Sequence, residues 1–169
     1  MSSRTARVLA EFTVPSEPGN ERTALAKVAE AVVGLLPAGS RLEALKTAVA
    51  EATMNAIEHG NGNRADLPVR IRVAVHEQLP DAVTVAITDQ GGQDAELAAS
   101  SPAVPDLDAK LAGLQSPRGW GLFLIKNMVD ELHVHTDGLE HTVVLTMRLG
   151  EASTTKRTTT REDTRAEHL

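Results

Sequence analysis

The chain has no cysteine and no tyrosine, and only 2% of its 169 residues are aromatic. The first absence excludes disulfides, thiol catalysis and cysteine-based zinc sites. The scarcity of rings means that the core must be aliphatic, drawn from the 41% of residues that are apolar. Excess positive charge is also missing: the net charge is −6, which argues against a broad nucleic-acid surface and against direct nucleic-acid binding. No apolar run approaches the roughly 20 residues that cross a bilayer, and no polybasic membrane patch is visible. "MSSRTARVLAEF" lacks the apolar stretch of a secretory signal, so the cytoplasm is the expected location.

The length suits one ordinary domain with tails. "ARVLAEFTV" (6–14) alternates as a strand, with Val8, Ala10, Phe12 and Val14 expected on one side. Asn20 is placed to cap a helix over 21–36 that carries Leu25, Val28, Ala29, Val32 and Leu36 on a helical period. Ser40 and Glu43 have the spacing of a capping box. A second helix is expected from Arg41 to His59, with Leu42, Leu45, Val49, Ala52 and Ala56 forming its buried stripe and Gly60 ending it.

Two alternating strands follow, "VRIRVAVHE" (69–77) and "DAVTVAITD" (81–89), joined by a short hairpin connection. Residues 90–117 carry no strong periodicity, and a loop of that length inside a compact domain is usually functional or disordered. "RGWGLFLIKNMVDEL" (118–132) returns to helix, with Leu122, Ile125, Met128, Val129 and Leu132 in register. Two strands around Gly138 close the fold, and residues 151–169 form a polar, Thr-rich tail expected to be disordered. Two helices ahead of a hairpin argue against a doubly wound parallel sheet. The order suits an α+β two-layer sandwich, a mostly antiparallel mixed sheet with its helices on one face.

Several familiar sites are missing. There is no phosphate loop of the G-x-x-x-x-G-K-[ST] form and no G-x-S-x-G elbow. "GNGNRA" (60–65) fits a loose dinucleotide fingerprint but follows a helix, where that motif must follow a strand. His133 and His135 share one face of a strand, a weak metal signal without further ligands.

Three segments carry features that their secondary structure does not explain. In "EATMNAIEHG" (51–60), Glu51 and Asn55 stand one helical turn apart among small and apolar residues. They either line a solvent edge or hold a ligand: an Asn carbonyl suits Mg2+, and a carboxylate one turn away can accept a proton. In "DQGG" (89–92), a strand ends on Asp89, an acceptor suited to an exocyclic amine, with Gly91 letting the backbone come close. In "RGWGLFLI" (118–125), Gly119 and Gly121 straddle an expected helix start, where backbone N–H groups favour phosphate and Arg118 adds charge. Taken singly, each also fits an ordinary helix edge, turn or helix start.

Their order and spacing form a constellation that resembles the GHKL (Bergerat-fold) superfamily of ATP-binding domains, over about residues 6–149. The segments correspond to its N, G1 and G2 boxes, and the 90–117 loop to its ATP lid. Within it, "LKTAVAEATMNAIEHG" and "RGWGLFLIKNMVDEL" look most like the bacterial anti-sigma-factor serine/threonine kinases. The resemblance implies a kinase domain over 1–150. It makes Glu51 the catalytic base and Asn55 the Mg2+ ligand; Asp89 binds the adenine amino group, with Gly91 giving the base room. Gly119 and Gly121 approach the phosphates, Arg118 reaches the γ-phosphate, and Thr142 in "HTVVL" lines the adenine pocket.

The implied activity is transfer of a phosphoryl group from ATP to a Ser or Thr of an anti-sigma-factor antagonist, by a kinase that also holds a sigma factor. Such kinases are commonly homodimers. Gln93 departs from the pattern, standing where many members carry a further glycine. Two other readings compete: a nucleotide-binding regulatory module that binds partners without phosphotransfer, and a structural domain with an empty pocket.

Overall fold

The computed structural model describes residues 5–77, 81–91 and 117–149. Five strands form one sheet: β1 (Ala6–Val14), β2 (Val69–His76), β3 (Ala82–Asp89), β4 (Glu131–Asp137) and β5 (Glu140–Arg148), in the spatial order β1-β2-β3-β5-β4. Every neighbouring pair is antiparallel. Among the described residues three helices accompany it: α1 (Asn20–Ala31), α2 (Ser40–Asn55) and α3 (Pro117–Met128). The α+β sandwich expected from the element order is the observed fold.

Alternation decides which side of the sheet is dry. Ile71, Val73 and Val75 of β2, Val83, Val85 and Ile87 of β3, and Val143, Leu145 and Met147 of β5 are all buried. The helices contribute Ala24 and Val28 from α1 and Leu45, Ala48, Val49 and Ala52 from α2, with Ile125 from α3. These side chains belong to one continuous aliphatic cluster. At about 25 cal/mol per Å2 of apolar surface withdrawn from water, such a cluster is the main source of stability.

Some local expectations give way to better local chemistry. The strand β1 carries a register shift between Val8 and Ala10, so the alternation slips there and Val8 is left 41% exposed. Asn20 is the first residue of α1 rather than its cap, because its side-chain amide donates to Pro15 O at 2.9 Å. Gly19, with φ of 99°, takes the cap position instead. The α1 helix stops at Ala31, before a turn containing Gly34 at φ 84°, yet Val32 and Leu36 still reach the core.

Ser40 likewise begins α2 without a side-chain cap, and Glu43 binds Lys46 at 3.1 Å, so no capping box forms. The helix predicted to run through Leu132 ends at Met128, and Leu132 belongs to β4. Asp130, in the connection, accepts from Arg41 at 2.8 Å and from the Arg148 N–H at 2.7 Å, clamping α2 to the sheet end. The 92–116 part of the expected lid and the tail at 151–169 lie outside the described residues.

Candidate nucleotide site

The α2 helix does not end in a simple glycine stop. After Asn55 the chain widens into a π-type turn, Ala56–Gly60, whose next residue donates its N–H to Ala56 O at 2.8 Å. Such widened turns often occur at functional sites. Here the turn carries Gly60 and Asn61 beneath the end of β3.

Gly60 lies against Asp89. A Cβ added to Gly60 would stand 2.3 Å from Asp89 Cγ, and one added to Gly91 would stand 2.5 Å from Gly60 O. Real Cβ atoms do not approach that closely, so both positions require glycine for contact with the carboxylate. Gly60 was legible in the sequence only as a helix stop; its contact is made by tertiary packing.

Asp89 is 3% exposed. Its Oδ1 accepts the Gly91 N–H at 2.8 Å, and its Oδ2 faces His141 Nδ1 at 3.2 Å. A carboxylate has about four lone-pair positions. The two described donors leave acceptor capacity for a further N–H, as the amine reading of Asp89 requires.

The other helix-borne segments also meet. A Cβ on Gly121 would lie 2.7 Å from Asn55 Nδ2, so α3 comes directly against the metal-ligand candidate of α2. Glu51 stands one turn earlier on the same helix, and both Glu51 and Asn55 are half-buried. Thus Asn55 touches the G2 segment and Gly60 touches the G1 segment from one continuous helix and turn. Arg118 and Gly119 fall within the first turn of α3, and the Arg118 side chain lies outside what the structure describes.

Thr142 is not brought to this cluster. It pairs in register with Thr88, and the two hydroxyls bond at 2.9 Å on the sheet face opposite Asp89. The residue in register with Asp89 is His141. Strand alternation held the signal: Val143, Leu145 and Met147 point to the core, so position 141 shares their side.

Asn61, which the sequence offered only within the rejected fingerprint at 60–65, is a second residue missed. Its Nδ2 donates to Ser16 Oγ at 2.9 Å and to Leu67 O at 3.0 Å, while its Oδ1 accepts the Gln90 N–H at 2.8 Å. It therefore fixes the backbone immediately after Asp89. Among the described residues, no group of three or more His, Asp or Glu gathers as a stand-alone metal site would need. No described helix is long and apolar enough to cross a membrane.

Residues 14–148 match the histidine kinase-like ATPase domain family. The chain is 37% identical over 131 residues to the anti-sigma F factor of Clostridium beijerinckii, covering 75% of this chain and 82% of that protein. It is 34% identical over 129 residues to the anti-sigma F factor of Priestia megaterium, covering 74% and 81%. Among solved structures, it resembles one of the RsbU and RsbW domains of a Mycobacterium tuberculosis protein, with a TM-score of 0.55 and 21% identity. That match covers 83% of this chain and only 32% of the other. A chain of the SiaB-SiaC complex from Pseudomonas aeruginosa matches with a TM-score of 0.57 and 15% identity, over 83% of this chain and 90% of that one. At these identities the structural likenesses show the fold alone.

Proposed function

This chain belongs to the histidine kinase-like ATPase domain family, and on that footing we propose that it is an ATP-dependent protein serine/threonine kinase acting as an anti-sigma factor. Its substrate is an anti-sigma-factor antagonist, and its other partner is a sigma factor. The carrying observation is the double contact of one helix and turn, Asn55 with Gly121 and Gly60 with Asp89 and Gly91. The names of the relatives, anti-sigma F factors, support the choice of partners.

In this reading Asp89 accepts from the exocyclic amine of adenine, and Gly91 lets the base lie close. The close packing of Asn55 against Gly121 fits a phosphate end in which backbone N–H groups of α3 face anionic oxygens. Asn55 is the protein ligand of Mg2+, which takes few protein ligands beside phosphate and water. When bound, that ion neutralises phosphate charge. Glu51 accepts the proton of the attacking hydroxyl as its oxygen bonds to the γ-phosphorus and the bond from phosphorus to the bridging oxygen breaks, leaving ADP. Positioning and charge neutralisation supply most of the rate in such transfers.

The test is a single-turnover assay with Mg2+, ATP and the antagonist, read as phosphoserine or phosphothreonine. Wild type is expected to transfer, and Glu51→Ala to bind ATP but lose transfer. ATP binding without transfer by wild type would leave a regulatory binding module in place of an enzyme.

A further inference from the structure

Asp89 does not stand alone at the end of β3. His141 occupies the facing register position on β5, with its side chain 12% exposed against 5% for Asp89. A carboxylate only accepts, so the imidazole nitrogen 3.2 Å from Asp89 Oδ2 must carry the proton and donate. The Gly91 N–H holds the other oxygen at 2.8 Å, and the Gly60 backbone walls one side of the group. Thr142 is turned away and occupied by Thr88. Among the described residues the carboxylate plane is thus set by one donor on each oxygen, and only His141 of these donors is a side chain.

We propose that His141 is a positioning residue for base recognition. It holds the Asp89 carboxylate so that its remaining lone pairs meet a 6-amino purine, and so makes the site prefer adenine over 6-oxo bases. The inference rests on the nucleotide-binding reading above. Its chemistry is orientational: without the Nδ1 donor, Oδ2 is free to rotate out of line, and the amine loses a fixed acceptor. A 6-oxo purine presents an acceptor at that place and gains nothing from a well-aimed carboxylate.

The experiment is calorimetric titration of ATP and of inosine triphosphate into wild type, His141→Ala, His141→Asn and His141→Gln, with melting curves for each. His141→Ala is expected to weaken ATP roughly 10-fold, the scale of one hydrogen bond to a charged group, and to leave inosine triphosphate nearly unchanged. His141→Asn carries a donor on the same atom position from Cγ and should restore both affinity and preference. His141→Gln places its donor one bond further out and should not.

Equal losses for the two nucleotides, or no loss in His141→Ala, overturns the proposal. If His141→Ala does not fold, the Asn and Gln variants decide: equal behaviour of the two overturns it. Failure of wild type to bind ATP at all would instead remove the nucleotide-binding reading, and this proposal with it.

Discussion

Asn61 and Asp89 are both buried polar residues at the same corner of the molecule, 2% and 3% exposed. Burial alone does not tell them apart. Asn61 commits its amide hydrogens and its carbonyl to Ser16, Leu67 and Gln90. Among the described residues Asp89 takes Gly91 and His141, which leaves it acceptor capacity. The first is a fastener, since a satisfied buried amide holds backbone segments in register. The second is, in the proposed function, a receptor. A buried polar group indicates a ligand by the bonds it has left to make.

That contrast predicts opposite failures. Asn61→Ala leaves the Gln90 N–H without its acceptor and the Leu67 carbonyl with the Ser16 hydroxyl as its remaining donor, and should cost about 3 kcal/mol of stability, read by urea unfolding. The folded fraction should keep its preference for ATP over inosine triphosphate. Asp89→Asn should do the reverse, weakening ATP about 100-fold while moving the unfolding midpoint little. The imidazole of His141 can switch tautomer to accept from the new amide, which spares the fold. If Asp89→Asn instead unfolded the protein and Asn61→Ala did not, the assignment of fastener and receptor would be reversed.

Gly60→Ala tests the wall between them. Its new Cβ would meet Asp89 Cγ at 2.3 Å, and the backbone on both sides is held by ordered structure. Overpacking of this kind costs about 2 kcal/mol, and ATP binding should fall with it, so both readouts move together. Calorimetry and unfolding on one preparation would check that coupling.

The smallest effect is expected far from the corner, at Asp130. Burial pushes its carboxyl up, but the Arg148 N–H and the Arg41 guanidinium outweigh this and hold it below the usual carboxylate value. A carboxylate lowered in the folded state stabilises above its unfolded value and loses that contribution as pH falls through its folded value. Asp130→Asn should therefore cost about 1 kcal/mol at neutral pH. The gap from wild type should close in acid, below the ordinary carboxylate range. A gap that stayed constant with pH would show that the ion pair contributes nothing.

The fold was legible where periodicity speaks. Of the expected stripe, Leu45, Val49 and Ala52 on α2 and Ala56 just past its end are buried and Leu42 partly so, and the alternation in β2 and β3 marks the core side. The bulge that exposes Val8 was not legible, since the sequence pattern of β1 is regular and the slip is set by pairing with β2. At the site, the segments carrying Asn55, Asp89, Gly91 and Gly121 do come together. Thr142 was misplaced by one residue, and in a strand one residue is the whole difference between two faces. Alternation did put His141 on the core side, but its contact with Asp89, like the roles of Gly60 and Asn61, was silent for a common reason. Each acts through a contact with a distant segment, which no local pattern in the sequence names.

The strand order has a kinetic consequence. The β2–β3 and β4–β5 pairs join strands close in sequence, whereas β3 must find β5 to bring Asp89 to a partner 52 residues away. Local pairs form early and distant ones wait on loop closure. The proposed adenine reader therefore comes into being only when the two halves of the sheet dock. Nucleotide has nothing to hold before that step, so it should leave the refolding rate unchanged and slow only unfolding, which stopped-flow traces with and without ATP would reveal.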